Sequence, residues 1–143
     1  MSGGIGSTFG NSLLQLIFNA VTITSIAQNA SSPLTSLYLS LHTADPGAGG
    51  SQTTSEAAYT SYARVAVVRT SSGFTVSGLN VTLTSAVSFP AATGGSETET
   101  YWAVGTASSG AGQILGRGPI SPTIAVSSGV TPQLTTGTTV TIA

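Results

Sequence analysis

The sequence predicts a mainly β protein, an antiparallel β-sandwich or jelly-roll-like barrel carrying one short N-terminal helix. Short alternations of apolar and polar residues recur from Ser36 onward, and turn residues interrupt them. The spacing between turns is roughly 8–12 residues, as sandwiches and barrels require. Only one stretch, near residues 12–20, has helical periodicity. A chain of 143 residues suits one domain, so residues 11–143 are assigned to a single sandwich and residues 1–10 to an arm.

The arm is Gly/Ser-rich, with Ile5 and Phe9 as isolated apolar residues, and is flexible unless it docks on a neighbour. Asn11 or Ser12 can cap a helix whose apolar face is Leu13, Leu14, Leu16, Ile17 and Phe18. It should end near Ala20, where the β-branched run Val21 to Thr24 begins, and Ser25 to Thr35 reads as a polar connection. In the next segment Leu37, Leu39 and Leu41 face one way while Tyr38, Ser40 and His42 face the other, the pattern of a half-buried strand. Asp45-Pro46-Gly47 ends it with side-chain capping, a fixed φ and a permissive φ in turn. After a polar loop over Ala48 to Ser55, strands are expected at Ala63–Thr70, Phe74–Val76, Asn80–Phe89, Thr98–Gly105 and Gln113–Arg117. Ile120 to Ile142 should hold two or three further short strands punctuated by Pro122, Gly129, Pro132 and Gly137.

The composition is unusual in its lack of charge. Charged residues make up 5% of the chain, against about 25% in an ordinary soluble domain. There is no lysine, and the cations are Arg64, Arg69 and Arg117; hydroxyls take their place, with 22 Ser and 23 Thr. A free monomer keeps itself soluble with mixed charges, so a neutral hydroxyl surface suits permanent contact with partners. Three scattered arginines cannot displace the counterions of a nucleic acid, and they disfavour an anionic membrane surface equally. The absence of cysteine excludes disulfides and thiolate chemistry. Leu13 to Ile17 is too short and interrupted for a signal peptide. The sequons at Asn29 and Asn80 therefore read as coincidence.

Chemistry has few residues to draw on. His42 and Asp45 are the obvious pair, but a strand ending in a turn puts them on different sides of a bend. A metal site needs three or four ligands, and beside this one histidine stand only Glu56, Glu97 and Glu99. No Gly-x-Ser-x-Gly elbow is present for a serine nucleophile. Gly105 to Gly112 lacks the lysine and the following helix of a phosphate loop, and reads as a hairpin loop. No catalytic, cofactor or metal residue is assigned, and an enzyme is not expected. Glu56 is expected to pair with Arg64, and Glu97 or Glu99 with Arg69, because arginine's planar fork suits ion pairs at contacts.

Five blocks in order, LYLSLHTADPG (37–47), EAAYTSYAR (56–64), SFP (88–90), the 105–112 loop and SGVTP (128–132), resemble a family of small virion proteins of tailed bacteriophages. Its members are often labelled tail or tail-fibre proteins. The resemblance implies a structural component of the particle, assembled in the bacterial host cytoplasm, without a cofactor. The matching positions are His42, Asp45, Pro46, Gly47, Glu56, Tyr59, Tyr62, Arg64, Phe89 and Pro90, read as determinants of fold and turns. Ile5, Phe9, Arg69, Tyr101, Trp102 and Arg117 are the candidate contact residues. Low charge and a short chain without fibre repeats favour a capsid cement protein, oligomeric and seated on the major capsid protein. The alternatives are a tail, neck or fibre-attachment component, or a glycan-binding module with a groove lined by Tyr59, Tyr62, Tyr101 or Trp102.

Overall fold

The computed structural model describes residues 6–23 and 33–142; Ile5 and most of the 25–35 connection lie outside the described residues. One helix, α1 (Ser7–Asn19), precedes strands β1 (Ser36–His42), β2 (Val65–Val68), β3 (Phe74–Ser77), β4 (Asn80–Leu83) and β5 (Val87–Ser88). Four more follow: β6 (Glu97–Gly105), β7 (Ile114–Val126), β8 (Gln133–Leu134) and β9 (Thr139–Thr141). A four-stranded sheet has the order β2-β1-β6-β7, a three-stranded sheet the order β3-β4-β9, and β5 pairs with β8; every pairing is antiparallel. The fold is mainly β with one helix, as the alternating pattern predicts, and is consistent with a β-sandwich.

The core joins Leu37, Leu39, Leu41, Trp102 and Val104 of the larger sheet to Phe74, Val81 and Leu83 of the smaller one. Leu14 and Phe18 of α1 complete it, Phe18 meeting Phe74 edge-on at 5.1 Å between ring centroids. Burying each such side chain stabilises the fold by about 1.5–3 kcal/mol.

The helix begins at Ser7, about a turn before the expected Asn11 or Ser12, so residues 7–10 are not part of an arm. The reason is its buried stripe, Gly10, Leu14 and Phe18, which repeats at the four-residue spacing of one helix face. Neither expected cap acts as one. Asn11 donates from Nδ2 to the Gly78 carbonyl at 2.7 Å, tying α1 to the β3–β4 turn, and Ser12 donates to the Thr8 carbonyl. At the other end Ala20 takes a left-handed φ of 55° and Val21 N–H donates to the Gln15 carbonyl. Arg69, just beyond β2, donates to the carbonyls of Leu16 and Ile17. The cation thus faces the negative end of the helix dipole. The helix supplies no basic residue of its own in its last turn.

Two further expectations change. β1 is not half-buried throughout: Ser40 and His42 are as inaccessible as the leucines, because residues 43–64 cross over the sheet's second face. Ile114 to Val126 is one long edge strand and not a pair of short ones. Its pairing with β6 steps from Ile124 opposite Glu99 to Pro119 opposite Tyr101, so residues 120–123 bulge out of the ladder. That bulge accommodates Pro122, which has no N–H to give a neighbouring strand.

Gly118 faces the Trp102 ring, and a Cβ there would lie 2.9 Å from Cζ2. Gly118→Ala should therefore lower stability by about 1–3 kcal/mol through overpacking, read as a shift of the urea midpoint with unchanged slope.

Candidate functional site

The segments that carry the sequence blocks converge on one side of the larger sheet. Arg64 lies at their centre with its side chain 3% exposed. Its Nε and Nη2 donate to the two carboxylate oxygens of Glu56 at 2.6 and 2.8 Å. Its Nη1 and Nη2 also reach the carbonyls of Ala107 and Gly110, at 2.9 and 2.8 Å. Tyr62 donates to Glu56 at 2.9 Å and accepts from the Leu41 N–H at 3.1 Å. The hydrogen bonds to Glu56 hold the guanidinium charged, raising its pKa further. Burial raises that of the Tyr62 phenol. Strand β1, the 56–64 segment and the 105–112 loop are thus fastened to one ion pair.

Gln52, a residue that polar-loop reasoning passed over, is 0% exposed and works in parallel. It donates to the Tyr38 carbonyl and accepts from Ala107 N–H. Its amide fills space that any side chain at Gly105 or Gly112 would invade, with Cβ positions 2.2 and 2.1 Å from its atoms. Gly105 and Gly112 therefore admit a glutamine, Gly110 takes a left-handed φ of 75°, and no phosphate cradle is needed to explain them.

His42 is fully buried. Its Nδ1 donates to the Thr54 carbonyl at 2.8 Å, so Nε2 accepts from the Ser40 hydroxyl at 2.9 Å. Burial lowers its pKa, keeping the ring neutral. This Ser–His contact has the look of a catalytic dyad, but Ser40 and His42 are both 0% exposed and offer no path to a substrate. Asp45 is elsewhere: it accepts from the Gly47 N–H at 2.9 Å and pairs with Arg117 at 2.6 Å. Among the described residues no group of three or more His, Asp or Glu is placed to hold a metal.

Two carboxyls on β6 behave differently. Glu97 accepts from the consecutive N–H groups of Ala58 and Tyr59, both at 2.8 Å. Glu99, two residues on, is 0% exposed and no N–H or hydroxyl donor reaches either oxygen; burial, and then a hydrogen bond to the Glu97 carboxyl, pushes its own carboxyl up to about 8. The expected pair of Glu97 or Glu99 with Arg69 does not form; that arginine is engaged with the helix carbonyls.

The aromatic residues do not form one groove. Tyr59 and Tyr62 meet edge-on at 5.3 Å, and Tyr62 stacks on Phe89 at 6.3 Å. Tyr59 donates to the Pro90 carbonyl at 2.9 Å, joining the 88–90 block to the 56–64 block. Trp102 is 5% exposed, and Tyr101, its neighbour on the strand, projects from the opposite face. A cleft of about 680 Å³ does open beside the β7 bulge, between residues 118–125 and 133–139, with Trp102 at its floor. Its lining carries no charged side chain. Of the candidate contact residues, Phe9 is 41% exposed, whereas Arg69, Trp102 and Arg117 are engaged within the chain.

Against known proteins, the model of one family, described as podophage GP4 fiber I protein gp80, matches residues 5–141. No curated protein matches the chain.

Removing the Arg64 guanidinium leaves Glu56 without its partner inside the fold. Arg64→Ala should cost about 3–5 kcal/mol. Arg64→Lys should recover only part of that, because an ammonium cannot grip a carboxylate in two places and two carbonyls as well. Equilibrium unfolding of both variants checks the order.

Proposed function

This chain belongs to the podophage GP4 fiber I family, and from that premise we propose that it is a building part of the tail or fibre assembly and works by protein–protein contact. Membership makes it a bacteriophage virion structural protein. The capsid-cement role expected from composition gives way to the fibre reading, because the family match runs along nearly the whole chain and its description is of a fibre. The partners are further copies of the chain and neighbouring virion proteins, with no nucleic acid or membrane among them. The protein has no catalytic role.

What supports the reading is the use the fold makes of its charges. All seven Asp, Glu and Arg side chains are used internally or buried: Arg64 with Glu56, Arg117 with Asp45, Arg69 on helix carbonyls, Glu97 on two N–H groups, and Glu99 out of reach of water. The surface left for partners is chiefly hydroxyls and small residues, with scattered exposed apolar side chains at Phe9, Val21, Leu34 and Val68. Such a surface associates by shape, hydrogen bonds and apolar contact, which salt does not screen.

Two measurements test the reading. Quantifying the protein per particle should give on the order of a dozen copies, as a tail of low cyclic symmetry requires; hundreds would return it to the shell. Raising NaCl from about 0.1 M to about 1 M shortens the screening length from about 10 to about 3 Å and should leave the bound copies in place. Release by salt alone would contradict a non-ionic contact.

A further inference from the structure

We propose that Glu97 and Glu99 form a proton-held latch, in which one proton between the two carboxyls keeps the 57–60 segment fastened to β6 and its loss loosens that segment. The geometry points to it in three ways. The carboxyls sit at alternate positions of one strand and so share a face. Glu97 has committed one oxygen to accepting from the Ala58 and Tyr59 N–H groups, which leaves its other oxygen for Glu99. Glu99 is 0% exposed, no N–H, hydroxyl or cation of the described residues reaches its oxygens, and the Glu97 carboxyl is its hydrogen-bond partner. An ionised carboxylate without hydrogen bonds or a cation is too costly to bury, and a protonated one is not.

The titratable groups facing Glu99 are Glu97 on its own strand and Tyr59 on the 57–60 segment, and no cation acts on it among the described residues. Burial first, and then Glu97, hold its proton in place up to about 8. Loss of the proton sets two carboxylates against each other beneath the very segment that Glu97 grips. The effect would pass to the 90–94 segment, since Tyr59 bonds Pro90 and Thr60 exchanges backbone bonds with Gly94 and Thr93.

The sign follows from linkage. Glu99 keeps its proton in the folded chain well above the pH at which the unfolded chain releases it, so stability falls as pH rises toward about 8. His42, with its lowered pKa, acts the opposite way, but only below its ordinary value of 6.5. Between pH 6.5 and 8 the folded-to-unfolded ratio should therefore drop by about tenfold per pH unit.

The test is denaturant unfolding of the full chain and of Glu99→Gln across that window, with ¹³C NMR of the side-chain carboxyls. The latch predicts one carboxyl titrating near 8, a pH-dependent loss of stability, and removal of both by Glu99→Gln. It also predicts that hydrogen-exchange protection of the Ala58 and Tyr59 amides, corrected for intrinsic rate, falls as that carboxyl ionises. A flat stability profile in the unchanged chain overturns the proposal, and so does an equal slope in Glu99→Gln. If Ca²⁺ restores alkaline stability to the unchanged chain but not to Glu99→Gln, a cation and not a proton neutralises the pair, and the latch is wrong. Failure here leaves the fibre reading untouched, since copy number and salt resistance do not depend on Glu99.

Discussion

The two-pronged grip of Arg64 on Glu56 is the constraint on which the irregular half of the molecule depends. The regular half needs no such device, because β1, β6 and the smaller sheet bury leucines, valines and phenylalanines against each other. The segments at 43–64 and 105–112 bring few apolar residues and many backbone groups. Backbone N–H and C=O groups taken from water must find partners, and a single guanidinium with five donors supplies several of them at once. Arginine is the residue that can do this, since its donors form a planar fork that meets a carboxylate on one side and carbonyls on the other. The buried ion pair is a device for geometry more than for stability, because desolvation offsets much of its attraction.

The same economy of charge shapes the outside. A chain with seven charged side chains could have placed them on the surface, where each would help keep the molecule apart from its neighbours. Each is instead bonded within the chain or buried beside its like, and only the Arg117–Asp45 pair lies at the surface, its two charges answering each other. The composition and the fold therefore describe one fact at two levels: charge has been drawn into internal work, and contact is left to hydroxyl and methyl groups. The fibre family to which the chain belongs makes it a virion structural protein, and the proposed contact role is consistent with so little free surface charge.

Much of this was legible in the residues. Leucine alternation placed β1, the pair Glu56 and Arg64 was anticipated from charge, and the Asp45 turn forms with the bond its sequence suggests. What the sequence hid were features decided by long-range packing. Gln52 looks like any loop residue until Gly105 and Gly112 are seen to vacate its place. The first helical turn, Ser7 to Gly10, has poor intrinsic propensity and forms because Gly10 lies on the buried stripe. The long β7 was obscured by two prolines that only a bulged edge strand tolerates. The direction of Arg69 was unreadable, since its partners are backbone carbonyls and leave no mark in composition.

The bulge at 120–123 also bears on how the open edges of the larger sheet are protected. An unbroken edge strand offers a row of free N–H and C=O groups to any passing strand, and proteins at high local concentration must blunt it. Here β7 is blunted by its bulge and prolines, and β2, at the opposite edge, is only four residues long. Neither edge invites indefinite strand addition. A protein with few free surface charges needs that restraint more than a highly charged one does, because charge repulsion does little to stop edge-to-edge pairing. Beyond those protected edges the larger sheet presents its faces, its loops and the uncharged cleft beside Trp102.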